Sequence, residues 1–579
     1  MAQTVTYTRQ MIRAKILGVF LFVTASLNAQ NSEWVRSFGG PNAGGVGNSL
    51  TVDASGNVYT TGYFEGTVDF DPGTGTSYLT SNGNHDVFVQ KMNANGNFLW
   101  ARSFGGIHDD ESYSIAVDAS GNVYTTGYFE ETADFDPGTG TSNLTSNGNE
   151  DVFVQKMNAN GNFLWARSFG GIHEDESYSI VVDASGNVYT TGGFYGPVDF
   201  DPGPGTSFLD GGESAFMLKL DTNGNFLWAR SPDSIYSEEL PSSSAGYSIT
   251  LDASGNVYAT GIFSGTVDFD TGPGTSYHTS AGSGDIFVQK MDVNGNFLWA
   301  RSFGGIEDEY GFSIAVDASG NVYTTGQYRG TADFDPGAGT INYTSAGEGD
   351  DFVQKMDANG NFLWARSFGG FDQDYGYSIV DASGNVYTTG DFYGTVDFDP
   401  GTGTSYLTSL GAIAAFVQKM DADGNFLWAR SYGGTSPTTD GVSSGKFTVD
   451  SAGNIYTTGY FYGTVDFDQG AGTSNLTAVG NTDIFVQKTG QAPSGIIDLG
   501  SGIQFAAYPN PSTGKVCLTF SQTVGQVKVI LTDIQGKVIS EQTLDPTSNS
   551  GFEMPGTPGA YYLTVKTSQG QSVVKLVKE

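Results

Sequence analysis

The polar motif that recurs most often in this sequence is the tripeptide Asp-Phe-Asp. In an extended chain, residues two apart share a face, so both carboxylates point the same way, about 6.6 Å apart at Cα. Such a pair, with loop carbonyls, would be able to hold Ca²⁺. The alternative, which we favour because the motif lacks the ligand spacing of an EF-hand, is that the aspartates cap the following turn. The candidate metal ligands are Asp69, Asp71, Asp134, Asp136, Asp199, Asp201, Asp268, Asp270, Asp333, Asp335, Asp397, Asp399, Asp466 and Asp468.

A second set of acids follows the recurring Ser-Phe-Gly-Gly segment. If each repeat forms four alternating strands, these loops and the Asp-Phe-Asp motifs share one face, which we predict to be an acidic interaction surface. The alternative is solvated charge that maintains solubility. The assignment requires that residues 67–70 do not form an antiparallel strand of their own. The loop acids are Asp109, Asp110, Glu111, Glu174, Asp175, Glu176, Glu307, Asp308, Glu309, Asp372 and Asp374.

Support for catalysis is weak in this sequence. His108 and His173 occupy matching repeat positions beside acids, which favours an exposed loop residue over a metal pair. The other histidines are His85 and His278, and no nucleophile motif, phosphate-binding glycine loop or His-Glu-x-x-His motif is present. An enzyme built from near-identical repeats needs one odd constellation. We would expect it in the central channel or beneath the irregular loop 231–245, which contains Glu238 and Glu239.

Three sequence motifs recur seven times at intervals of about 65 residues, and together they define the elements that carry these acids. They are Phe-Leu-Trp-Ala-Arg-Ser, Asp-Ala-Ser-Gly-Asn-Val-Tyr and Phe-Val-Gln-Lys. In residues 49–104 they predict four antiparallel strands, at 49–52, 58–64, 86–92 and 98–104, joined by glycine-containing turns. The arginine of the first motif alternates with the tryptophan on one face, so stacking of the two side chains is expected.

The phase of the repeats predicts a closed ring. The first repeat begins with a lone Trp34 strand, and the last repeat ends at Lys488 without one. We therefore predict an all-β fold, a seven-bladed β-propeller of four-stranded blades in which residues 33–38 complete the last blade. Closure hides sheet edges and compensates for the lack of disulfides, since Cys517 is the single cysteine. An open β-solenoid or a string of small β-domains is the alternative.

Residues 34–489 resemble the bacterial SBBP β-propeller repeat, through Asp-Ala-Ser-Gly-Asn-Val-Tyr-Thr-Thr-Gly followed by Asp-x-Phe-Val-Gln-Lys. The resemblance implies the propeller fold and an extracellular protein, without specifying an activity. Two repeats depart from the pattern: the fourth replaces Ser-Phe-Gly-Gly with residues 231–234, and the sixth lacks one residue in its first strand, before Asp381. We expect local irregularities there.

The two ends of the chain predict export. Residues 1–29 read as a signal peptide, with Arg13 and Lys15 before an apolar run and cleavage after Ala29; a buried N-terminal strand is the alternative. The repeats occupy 30–490 and a linker 491–504. Residues 505–579 are predicted to form a small β-sandwich. Its Tyr-Pro-Asn-Pro opening and Lys-Leu-Val-Lys ending resemble the type A sorting domain of the type IX secretion system. That resemblance implies passage to the cell surface or medium; a carbohydrate-binding or stabilising sandwich is the alternative.

Charge narrows the range of partners. The 62 acidic and 25 basic residues give a formal net charge of −37, which argues against nucleic acid and anionic membranes. We expect no membrane span, no certain cofactor beyond the possible Ca²⁺, and two partners: the type IX secretion machinery and an extracellular glycan or protein. The predicted function is a secreted, noncatalytic binding or adhesion propeller. A secreted carbohydrate- or peptide-directed hydrolase and a structural surface component are the alternatives.

Overall fold

The computed structural model describes most of the chain beyond residue 31. The described residues are 32–234, 242–372, 374–380, 384–469, 473–490, 497–498, 504–508, 515–520, 526–533, 537–544, 549–555, 557, 559–567 and 570–578. The predicted signal peptide, Glu238, Glu239, Asp381 and most of the predicted linker lie outside them. The chain separates into two compact units with the boundary between Ala492 and Pro493.

The first unit consists of antiparallel sheets in which a first, second, third and fourth strand lie side by side in that order. We number these sheets 1 to 7 along the chain. The first strands are Gly44–Val52, Asp110–Val117, Glu176–Val182, Ser243–Leu251, Tyr310–Val316, Tyr375–Val380 and Gly441–Val449. The second are Val58–Glu65, Val123–Asp134, Val188–Asp199, Val257–Ser264, Val322–Tyr328, Val386–Phe392 and Ile455–Tyr462. The third are Asp86–Met92, Asn143–Met157, Phe208–Leu220, Asp285–Met291, Asp350–Met356, Ala414–Met420 and Asp483–Thr489. The fourth are Phe98–Phe104, Phe163–Phe169, Phe226–Arg230, Phe297–Gly305, Phe362–Phe368, Phe426–Gly434 and, in sheet 7, Ser32–Phe38.

The strand Ser32–Phe38 pairs antiparallel with Asp483–Thr489, so the start and the end of the repeat region lie in one sheet. Trp34 lies opposite Lys488, and Ser37 lies opposite Phe485. The first strand of each sheet contacts the first strand of the next sheet, and that of sheet 7 contacts that of sheet 1. The split repeat therefore assembles as the phase of the sequence predicts.

The sheets pack face to face, and this explains the burial of the middle strands. Every residue of Asp86–Met92 is buried, including Gln90 and Lys91, because neighbouring sheets cover both faces. Buried polar groups find partners: the Gln90 side chain donates to the Phe70 carbonyl at 2.7 Å. The same glutamine contact recurs in other repeats, so it fixes the position of each Asp-Phe-Asp segment against its third strand.

Between its second and third strands each repeat forms a short antiparallel hairpin. In sheets 2 and 3 this hairpin is an extension of the long second and third strands. In sheet 4 the first strand of the hairpin also pairs with Asp233–Ser234. The separate hairpins are Thr67–Asp69 with Tyr78–Thr80, Thr266–Asp268 with Tyr277–Thr279, Thr331–Asp333 with Asn342–Thr344, Thr395–Asp397 with Tyr406–Thr408 and Thr464–Asp466 with Asn475–Thr477.

The second unit contains two four-stranded antiparallel sheets. Val516 and Leu518 of one sheet and Val529, Leu531 and Leu563 of the other belong to one buried cluster, which is the arrangement of a β-sandwich. One sheet contains Ile497–Asp498, Gln504–Tyr508, Lys515–Phe520 and Asn549–Glu553. The other contains Val527–Asp533, Val538–Leu544, Gly559–Thr567 and Gly570–Lys578.

Candidate ligand-binding site at the centre of the repeat sheets

A β-bulge interrupts the pairing of nearly every first strand, and it directs one side chain toward the centre of the repeat unit. In sheet 2, Ser112 and Ser114 lie opposite consecutive residues of the second strand, so Tyr113 is left unpaired. Bulges re-aim side chains in this way. The same irregularity occurs in sheets 1, 3, 4 and 5, and a longer one occurs in sheet 7.

Sheet 6 lacks this bulge, and Tyr377 lies opposite Thr389 in regular pairing. This is where the sixth repeat is one residue short, so the irregularity expected from the sequence is a missing bulge residue. Tyr377 nevertheless remains in contact with the aromatic ring of Phe312 in sheet 5. The deletion therefore keeps an aromatic side chain at the centre.

Aromatic side chains from sheets 2 to 6 form a continuous series of contacts around the centre. The ring centroids are 5.7 Å apart for Tyr113 and Tyr178, 5.4 Å for Tyr178 and Tyr247, and 5.9 Å for Tyr247 and Phe312. These distances are those of favourable ring pairs. Burial raises the pKa of Tyr247 to about 12, so its phenol is neutral and available for hydrogen bonding.

Sheets 7 and 1 place polar side chains at the matching position. Lys446 of sheet 7 donates from Nζ to the Tyr178 carbonyl of sheet 3 at 2.6 Å, and Asn48 of sheet 1 donates from Nδ2 to the Ser112 carbonyl of sheet 2 at 3.0 Å. Burial lowers the pKa of Lys446 to about 8. The centre thus has an aromatic arc, one ammonium group and one amide.

Two cavities meet at this arc. One, of about 370 Å³, is lined by Asn48, Lys446 and the aromatic side chains. The other, of about 530 Å³, shares Tyr178 and Tyr247 with the first and extends outward between sheets 3 and 4. Its remaining wall is acidic and aromatic and includes Glu174, Glu176, Glu213, His173, Phe194, Tyr195 and Ala245. Ala245 closes the segment 231–245 that the sequence singled out, but the structure places it in the strand Ser243–Leu251, opposite Ile262.

Glutamate side chains near the outer cavity repel one another. Burial, followed by a hydrogen bond and charge repulsion from Glu176, raises the pKa of Glu150 to about 8. One oxygen of Glu150 is buried without a hydrogen-bond partner. None of the ion pairs among the described residues involves Glu150, Glu174, Glu176 or Glu213. The cavity therefore has carboxyl groups without an ion-pair partner next to aromatic faces, and the neighbouring Glu150 keeps its proton at neutral pH.

Part of the predicted acidic face is buried instead of exposed. Asp110 Oδ2 accepts the Gly106 N–H at 2.6 Å, and Asp175, Glu309 and Asp374 make the equivalent contact in their own loops. These four side chains are at most 2% exposed. They hold the loop against the sheet, so only their neighbours in each loop remain as surface charge.

The Asp-Phe-Asp motifs do not form one face with those loops, which corrects the sequence-based assignment: Asp134 is bridged to Gly105 at the start of the loop, but the chain then runs away from it. Thr67–Asp69 forms its own antiparallel strand with Tyr78–Thr80, so the chain reverses before the motif ends. The turn at Asp136 consequently lies beside Gly161 and Asn162, which belong to the turn between the third and fourth strands. The physical reason is the extra hairpin, which folds the motif back along the sheet.

Backbone amides surround the carboxylates of these motifs. Asp69 Oδ1 accepts N–H groups of Asp71 and Ser77, and Asp71 Oδ1 accepts that of Gly73. Equivalent contacts form at Asp134, Asp199, Asp268, Asp333, Asp397 and Asp466, and at Asp136, Asp201, Asp270, Asp335 and Asp399. These are the contacts of turn caps. Calcium binding at these pairs and at Asp468 stays a prediction, and nowhere among the described residues do three His, Cys, Asp or Glu side chains converge as metal ligands.

The histidines and the Trp-Arg pairs occupy separate places. His108 lies 3.2 Å from Glu131, whereas the exposed His173 packs on Tyr195.

Arg102 stacks on Trp100 at 5.6 Å and donates to the Gly161 carbonyl of the next sheet. The same pair recurs in other repeats and joins neighbouring sheets.

Comparisons with known proteins match segments of both units. A model of a secretion system C-terminal sorting domain matches residues 506–579, and a model of the SBBP β-propeller repeat matches residues 33–63 and 99–128. The uncharacterized WD repeat-containing protein L264 of Acanthamoeba polyphaga mimivirus is 26% identical over 477 residues, covering 68% of this chain and 34% of that protein. Regulatory protein FlaEY of Caulobacter vibrioides is 30% identical over 200 residues, covering 32% of this chain and 21% of that protein. This chain thus spans about a third or less of either relative.

Among solved structures, the extracellular region of plexin A4 covers 92% of this chain and 60% of its own, with a TM-score of 0.32 and 7% identity. Within the described ranges no helical segment has the length and hydrophobicity needed to cross a bilayer. The sorting domain indicates export. The chain carries SBBP-type β-propeller repeats followed by a C-terminal sorting domain of the type IX secretion system, and its location is the cell surface or the extracellular medium.

Proposed function

We propose that this protein is a secreted, noncatalytic binding protein whose seven repeat sheets are the blades of one closed β-propeller. The pairing of Ser32–Phe38 with Asp483–Thr489 supports closure. So does Arg36 of the closing strand, which donates to the Gly96 carbonyl of sheet 1 at 2.9 Å. A closed ring is rigid, and rigidity suits a preformed ligand site.

The observation that carries the proposal is the aromatic arc at the centre, which opens into an acidic cavity. Aromatic faces and unpaired carboxylates attract a cation that can be partly desolvated. The net charge of −37 adds long-range attraction for basic partners. We infer that the ligand is a positively charged protein segment that inserts a lysine or arginine side chain between sheets 3 and 4.

Peptide binding by the purified full-length chain tests this. Arginine- and lysine-rich peptides are titrated by calorimetry beside neutral glycans and acidic peptides. Tyr247→Ala and Glu176→Gln are each expected to weaken binding of the basic peptide at least about tenfold. Tyr78→Ala is the matched control, because Tyr78 is exposed on a repeat hairpin away from the cavity.

The outcomes separate the ligand classes. Basic-peptide binding that weakens with salt and with both cavity variants supports the proposal. Glycan binding that depends on Tyr247 would support the central site but identify the ligand as a glycan and not a basic peptide. Equal binding by wild type, Tyr247→Ala and Tyr78→Ala would contradict a central site.

A second candidate function is hydrolysis, which the raised pKa of Glu150 favours. A carboxyl group that keeps its proton near neutral pH can act as a general acid. Glu150, which contacts the cavity residue Glu176, would then protonate a glycoside or peptide held in the outer cavity. Turnover of such a substrate that is lost in Glu150→Gln, with binding retained, would replace the noncatalytic proposal.

A further inference from the structure

The ammonium group of Lys446 at the centre of the repeat sheets has no counter-ion. Its Nζ donates to the Tyr178 carbonyl at 2.6 Å, and an ammonium has three N–H groups to donate. None of the ion pairs among the described residues involves Lys446. Burial alone lowers its pKa to about 8, whereas a neighbouring carboxylate would raise it. In a chain with 62 acidic residues, this half-buried group is therefore charged at neutral pH and lacks an anion.

An acid of sheet 6 lies behind the same stretch of chain, but it does not neutralise Lys446. Asp391 accepts the Ser444 N–H at 2.7 Å and the Ser443 hydroxyl. Burial raises the pKa of Asp391 to about 7 and the two serines lower it in part, with no contribution from Lys446. Both serines line the cavity of about 370 Å³ together with Lys446, and we call this cavity the inner cavity. An anion for Lys446 has to come from a ligand in that cavity.

The backbone around Lys446 fixes its direction. The bulge of sheet 7 interrupts the pairing between Ser444 and Phe447, where Gly445 and Lys446 lie. Gly445 packs so closely on sheet 1 that an added Cβ would lie 2.6 Å from the Gly47 carbonyl oxygen. The Lys446 side chain consequently reaches from sheet 7 across to sheet 3. Since this side chain crosses the centre, a bound chain cannot pass through, whereas the end of a chain can enter.

The outer cavity presents the opposite charge to the same ligand. It shares Tyr178 and Tyr247 with the inner cavity, and its wall contains Glu174, Glu176 and Glu213. Tyr178 joins the two walls, because its carbonyl binds Lys446 and its phenol hydrogen-bonds to Glu176. A positive wall and a negative wall are therefore separated by the length of one residue, with aromatic faces between them.

We propose that the ligand is the C-terminal end of a basic peptide, an inference that rests on the proposed function. The terminal carboxylate binds Lys446 Nζ in the inner cavity, and the side chain of a C-terminal lysine or arginine lies along Tyr178 and Tyr247 toward the acidic wall. The carboxylate supplies the missing anion through charge-assisted hydrogen bonds. A C-terminal basic residue carries both charges on one residue, as the two walls require, and its chain ends where Lys446 closes the centre.

Calorimetric titration of the full-length chain with four related peptides tests this ligand. The first ends in arginine with a free carboxylate, the second is its C-terminal amide, the third has two glycines added after the arginine, and the fourth ends in alanine with a free carboxylate. Wild type is expected to bind the first at least about tenfold more tightly than each of the others. This comparison uses wild type alone, so it does not depend on the folding of a variant.

Variants assign each charge of the ligand to its wall. Lys446→Met is expected to bring the affinities for the free acid and the amide to within about twofold, with the amide bound no more weakly than by wild type. Glu176→Gln is expected to weaken both peptides by the same factor and so to keep their ratio. Lys528→Met is the matched control, because it removes the same charge from a residue of the sorting domain and should keep the ratio of wild type.

The results that would contradict this ligand differ from those that would contradict the proposed function. Equal affinity of wild type for the free acid and the amide would overturn the role of Lys446 and leave the cationic site in place. A preference for the free acid that Lys446→Met retains would have the same meaning. Tight binding of the peptide that ends in alanine would show that the acidic wall is not used, which would overturn the basic residue of the ligand and the proposed function together.

Discussion

The buried carboxyl group of Asp110 is expected to make the repeat unit less stable as the pH rises. Burial is the main cause that raises its pKa from 3.8 to about 8, with a further contribution from the charge of Asp86. A raised pKa in the folded state means that the folded protein holds this proton more tightly than the unfolded chain. Stability is therefore fully present below about pH 3.8 and is lost progressively as the pH rises toward 8.

The size of this effect follows from the shift in pKa. Each pH unit between the ordinary pKa and the working pH costs about 1.4 kcal/mol, so at neutral pH Asp110 lowers the free energy of unfolding by about 4 kcal/mol. Asp110→Asn keeps the oxygen that accepts the Gly106 N–H and removes the ionisable group. We expect the variant to be more stable than wild type by about 2–4 kcal/mol at pH 8, with little difference near pH 4.

Urea unfolding monitored by tryptophan fluorescence measures this difference. All seven tryptophans lie in the repeat unit, so the signal does not come from the sorting domain. Asp210→Asn is the control, because Asp210 is an exposed acid on the third strand of sheet 3. If Asp110→Asn and wild type lose stability in parallel between pH 4 and pH 8, Asp110 does not bind its proton in the folded state and the reasoning is wrong.

Three further predictions concern the scaffold. Arg102→Met removes the hydrogen bonds to the turn of the next sheet and is expected to cost about 1–3 kcal/mol in urea unfolding. Gly127→Ala is expected to prevent folding or to destabilise severely, because the new methyl group would overlap the Glu111 carbonyl, whereas Gly212→Ala meets nothing within 4 Å and should leave the melting temperature unchanged. Removal of residues 30–38 exposes the edge of sheet 7, so oligomers are expected by light scattering after size-exclusion chromatography.

Repetition made most of the fold predictable from the sequence. The alternation in residues 86–92 and the glycine turn at Gly96, with φ +70°, predicted two strands whose observed bounds are Asp86–Met92 and Phe98–Phe104. The split repeat predicted the pairing of Trp34 with the last repeat. The hairpin at Thr67–Asp69 was missed, because three residues are too few for a periodic signal and its pairing depends on the Gln90 contact with the Phe70 carbonyl.

The central site was missed for a different reason. Tyr113 and most of its equivalents sit at a bulge that the strand alternation in the sequence does not reveal, although Tyr377 reaches the centre without one. A usable signal was nevertheless present, since this position is aromatic in five repeats but is Asn48 in the first and Lys446 in the last. A residue that differs at an otherwise constant repeat position marks a place where the repeats differ in function.

The same asymmetry explains why the cavity proposed for the ligand lies to one side of the centre. Seven identical side chains around an axis would present every ligand with seven equal positions. Lys446 removes this equivalence, because it reaches across to the Tyr178 carbonyl and occupies the space on the side of sheet 7. The aromatic faces of Tyr178 and Tyr247 then remain open toward sheets 3 and 4, where the cavity contains Glu174 and Glu213. A half-buried ammonium on one side and carboxylates on the other give the cavity a direction, so a cationic group is repelled from the axis and attracted to the acidic wall.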